Sequence, residues 1–449
     1  MANDLPVGTS RTGFMFDGDP RTPPTAVTLK HDEGRIQLSV PWNRNDDSQA
    51  YGRWFLDAHW GDDRDQSRFS YQVPHELLFQ DGHGPVVLVG CRRAGMQTNP
   101  VAGLGTGVVT ADYAVLGGQL GYSRVDGLRS ELAGLGDWMG LRSLSRDDTF
   151  TPGTSPQGPR TFRSSRLVLE APPAVRISRR LNLHITPDFS ILQGQDPDVT
   201  QITERMVVQT LVGRPREWDE HMDIHRAIRD LISISNWRLA PFKRHDAMRR
   251  SDSLLFPTRQ PSPQWFSVQT QFAQPPQSPG RQRAQYLFTF QDVGTTGVDR
   301  WLRLRSRFGR AIDPTLSTIF RTEVSALTRV AEVGIGLEAL GYLLALEAGV
   351  SPRRAGRESH ESRLRRIASD VSTWPLAKTP SEWAQDSAAT YNGIKHANRR
   401  APEVVDALNS WRECVLVFRV WVAGRLGAPT EILSQNLTND SMRHEYRAI

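Results

Sequence analysis

Cysteine is nearly absent: Cys91 and Cys414 stand alone and far apart in 449 residues. Two such thiols support neither a disulfide framework nor a zinc cluster, and the reducing cytoplasm is the expected compartment. No run of about 18 apolar residues occurs, so no membrane-spanning helix and no membrane partner is expected. The opening MANDLPVGTS has no basic segment followed by an apolar one, and it does not read as a secretory signal. Lysine is scarce as well. Lys30, Lys243, Lys378 and Lys395 are the only lysines among 55 basic residues, so nearly all positive charge is arginine. A GC-rich genome accounts for the bias at large. Its physical consequence is that phosphate contacts, where they exist, are guanidinium forks. Several motifs are missing too. There is no P-loop, no GxGxxG behind a strand, no GxSxG and no HExxH. That argues against NTPases, dinucleotide enzymes, serine hydrolases and zincins, and no cofactor or metal is expected.

The length gives room for about two or three domains. With 38% hydrophobic residues and a formal charge of +6, the composition is that of a globular chain with a mild basic excess. Residues 13–144 read as strands. Short apolar or alternating runs at 26–29, 35–40, 54–56, 86–89, 107–109 and 113–116 are separated by Gly, Asp, Asn and Pro turns. The segment Leu135-Gly136-Asp137-Trp138 is expected to close this region with a buried aromatic. Residues 146–163 are polar and rich in Pro, Gly, Ser and Thr, which predicts a mobile link between two subdomains. Strands resume at 165–170, 174–177, 181–185 and 203–210.

A helix is expected at 217–234, with Met222, Ile224, Ile228 and Leu231 as its apolar contacts. His221 and His225 lie four residues apart on it, near Glu217, Glu220 and Asp223. Two imidazoles at that spacing can share a metal. No cysteine or third histidine is nearby in sequence, however, and zinc needs three or four convergent ligands. A solvated polar face is therefore the reading adopted. Residues 249–283, with PPQSPG at 275–280, read as a linker around a strand at 265–272, followed by a strand at 285–290 and an arginine-dense helix at 298–310.

From Pro314 onward the pattern is helical. Leu316, Phe320, Leu327, Val330, Leu337 and Leu344 recur at helical spacing. Residues 351–370 read as an arginine-rich loop entering a second helix, with Arg365 and Arg366 among its cations. Thr379 to Arg400, TPSEWAQDSAATYNGIKHANRR, reads as a third helix. Thr379, Pro380 and Glu382 supply a cap, a first-turn proline and a capping-box acid. At roughly 100° per residue, Trp383, Thr390, Ile394 and Ala397 share the expected core face. Asn392, Lys395, His396 and Arg399 gather on the opposite side, continued by Gln385, Ala388 and Ala389. A fourth helix starts at Pro402, carries an apolar stripe from Val404 to Val422 and is stopped by Gly427 and Pro429. The rest, 431–449, reads as a loosely held polar tail.

The string Tyr391-Asn392-Gly393-Ile394-Lys395-His396 resembles the motif helix of HEPN domains, in the branch found in ApeA-like anti-phage proteins. Leu337-Glu338-Ala339-Leu340 resembles the first helix of that branch. The order strand, Gly-Gly, strand, Leu–Asp–Trp in the first part is similar to the ApeA N-terminal region. The HEPN motif pairs an Arg with a following His. Here His396 is present and Asn392 fits the polar position, while 389–391 are Ala, Thr and Tyr instead of the Arg.

The resemblance implies an α+β protein. A β-rich, sandwich- or barrel-like region at 1–295 would precede an all-α HEPN bundle at 296–430. It also implies a metal-independent endoribonuclease of anti-phage defence by abortive infection, working as a homodimer or higher homo-oligomer. Its substrate would be tRNA or single-stranded RNA, cut by 2′-OH attack to leave a 2′,3′-cyclic phosphate, and a phage-derived trigger would activate it. His396 would act as acid or base, Lys395 or Arg399 would stabilise phosphorane charge, and Asn392 would orient the reacting groups. Tyr391, Arg365 and Arg366 would support the site or RNA. Glu338 would orient His396 or pair with Lys395, or else lie exposed on a helix edge. The missing Arg leaves a second reading open: a catalytically silent bundle that binds RNA or a nucleotide, or dimerises, beneath a sensor β region. A third is a carbohydrate or peptide sensor in which only the β half is functional.

Overall fold

The computed structural model describes residues 3–56, 71–151, 161–193, 198–252, 264–270, 285–321 and 323–447. The PPQSPG stretch and most of the 249–283 linker lie outside them. The chain folds as a large antiparallel sheet followed by helices. The first strands show why. In β1 (Thr9–Phe16), β2 (Thr25–Asp32) and β3 (Arg35–Asn43) every second side chain is buried, as the two-residue period of a strand demands. Glu33 and Gly34 join β2 to β3 with both φ angles positive, the two-residue turn whose twist suits a hairpin.

The remaining strands, in chain order, are β4 (Glu76–Asp81), β5 (Gly84–Val89), β6 (Arg92–Asn99), β7 (Leu104–Ala111), β8 (Tyr113–Leu116) and β9 (Arg124–Leu132). Then come β10 (Leu144–Thr151), β11 (Thr161–Leu169), β12 (Val175–Ser178), β13 (Leu183–Gln193), β14 (Thr200–Glu217), β15 (Phe242–Met248) and β16 (Trp265–Thr270). Among the described residues, 14 of them form one sheet in the order β12-β13-β14-β9-β15-β16-β8-β5-β4-β1-β2-β3-β7-β6. Five strands separate β8 from β7, yet Val109, Ala114 and Leu116 share one apolar core with Met15, Leu29 and Leu38. The sheet therefore coils around that core.

Three expectations need correction. Residues 54–56 are not a strand but the end of α1 (Gln49–Leu56), because Tyr51, Trp54 and Phe55 fall on one buried helical face. Residues 146–163 are not a plain link. Their described parts belong to β10 and β11, a separate antiparallel pair, while 152–160 lie outside the described residues. Most of this pair's described side chains are exposed on both faces, so no apolar alternation announced it. Residues 285–290 are not a strand either: they lead into α4 (Phe290–Phe320), which starts from a Thr289–Asp292 capping box and is kinked at Gly294.

The other helices are α2 (Leu135–Met139), α3 (Trp218–Asn236), α5 (Ala326–Glu347), α6 (Pro352–Ala355), α7 (His360–Asp370), α8 (Pro380–Lys395), α9 (Val404–Leu426) and α10 (Thr430–Leu437). Trp138 on α2 is fully buried, as expected. Helix α5 packs against α4, α7, α8 and α9. Its glycines allow the close approach. A side chain at Gly334 would strike the Tyr391 ring of α8, at Gly336 Thr315 of α4, and at Gly341 Arg363 of α7. Helix α9 is buried all round, the mark of a central helix. The residues after it are not loose. Leu433, Leu437 and Met442 are buried, and Asp440 pairs with the buried Arg419 at 2.8 Å.

Candidate functional site

The site is built at the C-terminal end of α8. Its start is as the sequence predicts: Thr379 accepts from the Glu382 N–H, and the Glu382 carboxylate takes the Thr379 N–H and hydroxyl. Its end differs. The helix stops at Lys395, and His396 is the cap residue, its N–H bonded to the Asn392 carbonyl at 3.0 Å. The chain then turns, with the Arg399 N–H on the His396 carbonyl at 2.9 Å. The helix thus ends earlier than the polar sequence alone indicates, with His396 already in extended geometry. Gly393 has a structural task here. A side chain on it would strike the Arg400 carbonyl where the chain folds back.

The core face also differs from expectation. Trp383, Ala384, Ser387, Ala388 and Tyr391 are buried, Ile394 partly so, and Ala397 is exposed beyond the helix. Ala388 therefore belongs to the core stripe and not to the polar side. Thr390, half-buried, satisfies its hydroxyl on the Asp386 carbonyl at 2.9 Å.

Around Tyr391 the structure assembles a charged cluster. Glu338 on α5 is half-buried, 2.7 Å from Nη1 of Arg363 and 3.6 Å from Nζ of Lys395. The Tyr391 hydroxyl donates to its second oxygen at 3.4 Å. Glu338 thus pairs with Lys395, one of the roles considered for it, and no contact ties it to His396. Burial pushes the Glu338 carboxyl up, but Lys395 and then Arg363 outweigh this and hold it below its ordinary value. Tyr391 is pushed up to about 12 by burial and then by the Glu338 charge. Lys395 also lies 5.5 Å from the Tyr391 ring centroid.

Of two further members, His360 was not singled out in the sequence, and Arg363 was counted only as one cation of the 351–370 run, expected on a solvated face. Arg363 is buried, and besides Glu338 it donates to the Ala355 and Gly356 carbonyls. His360 begins α7 and sets its ring 4.6 Å from that of Tyr391. Burial, opposed by Glu338 and reinforced by Arg363 and Lys395, pulls its imidazole down to about 4. The only local signal at His360 is the Ser359 cap before it; its pairing with residue 391 is tertiary.

Asn392 is half-buried, and His396 and Arg399 are exposed at the same helix end. Arg365 and Arg366 are engaged within and beside α7: Arg365 with Glu361 at 2.7 Å and Ser381 at 2.6 Å, Arg366 with Glu358 at 2.6 Å. Arg353, Arg354 and Arg357, on α6 and the turn after it, are exposed. That turn reaches the cluster through the two carbonyls held by Arg363. The arrangement presents a solvent-facing imidazole, an ammonium and the Arg399 guanidinium at one helix end. It can attract a phosphodiester and place a proton donor or acceptor beside it.

The histidines of α3 belong elsewhere. His221 and His225 are buried and hydrogen-bonded, not solvated, and among the described residues no group of three metal-ligating side chains has metal-site geometry. No helix of the described residues is long and apolar enough to cross a membrane.

A coiled antiparallel sheet joined to a helical bundle defines a two-part α+β protein with its candidate chemistry in the second part. The sequence model for ApeA N-terminal domain 1 matches residues 11–302, well over half of the chain, and the chain belongs to that family. It is thereby an ApeA-like protein of anti-phage defence. The match runs from within β1 through the rest of the sheet and α3 to the first part of α4. Comparison with curated proteins and with solved structures gave no match.

Proposed function

We propose that the helical region is a HEPN-type, metal-independent endoribonuclease and that the end of α8 carries its chemistry. The observation behind this reading is the exposed His396 at the end of α8, one turn from Asn392, next to Lys395 and followed by the exposed Arg399. Cleavage would proceed by attack of a ribose 2′-OH on the adjacent phosphorus. The nucleophile loses its proton to a base, the P–O5′ bond breaks, and the leaving oxygen takes a proton from an acid. His396 serves as one of these proton carriers. Arg399 and Lys395 stabilise the phosphorane charge, and Asn392 orients the ribose or phosphate. One copy offers one such imidazole on an open surface, which fits a site completed by a second copy in a homodimer. Single-stranded RNA or a tRNA loop is the substrate class, because only unstacked segments expose their bases and backbone together. The sheet region then serves as the sensor of a phage-derived trigger.

One observation favours the second reading. Glu338 already pairs with Lys395, and the helix lacks the Arg that HEPN nucleases carry, so the bundle would bind RNA without cutting it. RNA incubated in EDTA with the wild-type protein and His396→Ala, without and with lysate of phage-infected cells, separates the two. Cyclic-phosphate ends produced by wild type alone support the nuclease. RNA retention without cleavage in every arm supports the binding module.

A further inference from the structure

Helix α3 touches both halves of the molecule. Its sheet-facing side holds His221 and His225, one turn apart. Nε2 of His221 lies 3.2 Å from the Val125 carbonyl, and its Nδ1 lies 2.7 Å from Oγ1 of Thr210. That hydroxyl is 3.0 Å from Nε2 of His225, whose Nδ1 is 2.6 Å from Oγ of Ser130. The Ser130 hydroxyl is in turn 2.8 Å from Nδ1 of His245. Five side chains from α3, β14, β9 and β15 therefore form one hydrogen-bonded chain, and all five are buried.

Its polarity follows from its first bond. A carbonyl only accepts, so Nε2 of His221 carries the hydrogen. The neutral ring then accepts at Nδ1 from the Thr210 hydroxyl. The Thr210 oxygen accepts from Nε2–H of His225, whose Nδ1 accepts from Ser130, and the Ser130 oxygen accepts from Nδ1–H of His245. This arrangement uses three neutral imidazoles. A proton added to His221 or His225 leaves a buried hydroxyl hydrogen with no acceptor. A proton added to His245 buries a charge that faces Arg226.

The chain runs between two apolar clusters: Trp218, Met222, Leu128 and Ala247 on one side, Ile228, Leu231, Leu132 and Val208 on the other. The charged groups near it are Arg216 of β14, Asp126 of β9, and Glu220 and Arg226 of α3 itself. On β15, Asp246 is taken up by Arg244 at 2.8 Å. From the bundle side come Arg305 of α4, paired with Asp230, and Arg419 of α9.

The far side of α3 is fastened to the bundle. The Ala227 carbonyl accepts from Nε1 of Trp301 on α4 at 2.7 Å. Arg419 of α9 donates to the Ile234 and Ser235 carbonyls at 2.8 and 2.9 Å. We propose that α3 is the coupling element between sheet and bundle, and that the imidazole–hydroxyl chain is its latch. Protonating the chain, or shearing β9, β14 and β15 past one another, unfastens α3 and loosens its contacts to α4 and α9 together. The latch stays shut at neutral pH, because burial holds His245 down at about 4 and lowers His221 and His225 as well.

Hydrogen exchange of the full chain at about pH 7.5 and about pH 5, corrected for intrinsic rates, tests this. With His245 at about 4 when latched and an ordinary 6.5 when released, linkage from that ring alone favours opening roughly thirtyfold at the lower pH. Peptides of α3, of 298–305 and of 412–421 are expected to accelerate together by at least that factor. Thr210→Val, which cuts the chain in the middle, is expected to accelerate the same three segments at the higher pH, and Thr210→Ser to restore protection. Should Thr210→Val fail to fold, the wild-type pH pair and Thr210→Ser still decide. Equal protection of α3 at both pH values overturns the latch. Acceleration of α3 without 298–305 and 412–421 overturns the coupling.

Discussion

Two helices of this protein carry histidines among acids and small residues, and the structure uses them in opposite ways. On α8, His396 ends the helix in solvent, where its ring is open to a ligand. On α3, His221 and His225 are sealed under the helix, each ring nitrogen matched to a hydroxyl or carbonyl. The difference lies in what covers them. Helix α8 lies at the side of the bundle and loses its cover where the chain turns back at Arg400. Helix α3 is sandwiched between the sheet and α4 and α9. A histidine spacing alone therefore says little; the neighbours decide whether the ring does chemistry or holds the fold.

The comparison breaks first where buried charge is unpaired. Arg419→Met removes the guanidinium that joins α9, α3 and Asp440, and strands that carboxylate in the core. It is expected to cost about 3–5 kcal/mol, read from urea unfolding, whereas Arg399→Met at the exposed end of α8 is expected to stay within about 0.5 kcal/mol.

The sheet-forming half was legible as strand-rich but not strand by strand, since no run was named for β1, β4, β6, β9, β10 or β15, whereas α5, α7, α8 and α9 were read from their stripes and caps. Alternation in β2 and β3 writes burial directly into the sequence, and the apolar stripe of α9 and the caps of α8 are equally local. The pair β10–β11 has few buried side chains, so nothing local marked it. The cluster of Glu338, Arg363, His360 and Tyr391 joins residues from α5, α7 and α8 whose meeting depends on glycines at 334 and 341. The relay under α3 needed Thr210, Ser130 and His245, ordinary strand residues that no motif selects.

A milder test sharpens the contrast with acid. The relay imidazoles and His360 titrate below the ordinary 6.5 in the folded chain, so between about 6.5 and 4 the unfolded state binds more protons. Stability is expected to be intact above pH 6.5 and to fall as pH drops through that window, seen as a steady decline of the urea midpoint.

The charged cluster is expected to respond less than the buried Arg419. Glu338→Gln removes the negative charge beside the buried Arg363 while keeping an oxygen that can accept from it, and is expected to cost about 1–2 kcal/mol in the same assay. It also frees Lys395, so RNA retention at low salt is expected to strengthen and to become more salt-dependent.

The measurement that bears most directly on the account sets the two histidine sites side by side. His396→Ala and His225→Ala are assayed together for RNA cleavage in EDTA, in the presence of infected-cell lysate, and for urea midpoint. The account predicts that His396→Ala abolishes cleavage at an unchanged midpoint, while His225→Ala lowers the midpoint and keeps cleavage in proportion to the folded fraction. Full cleavage by His396→Ala, or an unchanged midpoint for His225→Ala, would contradict it.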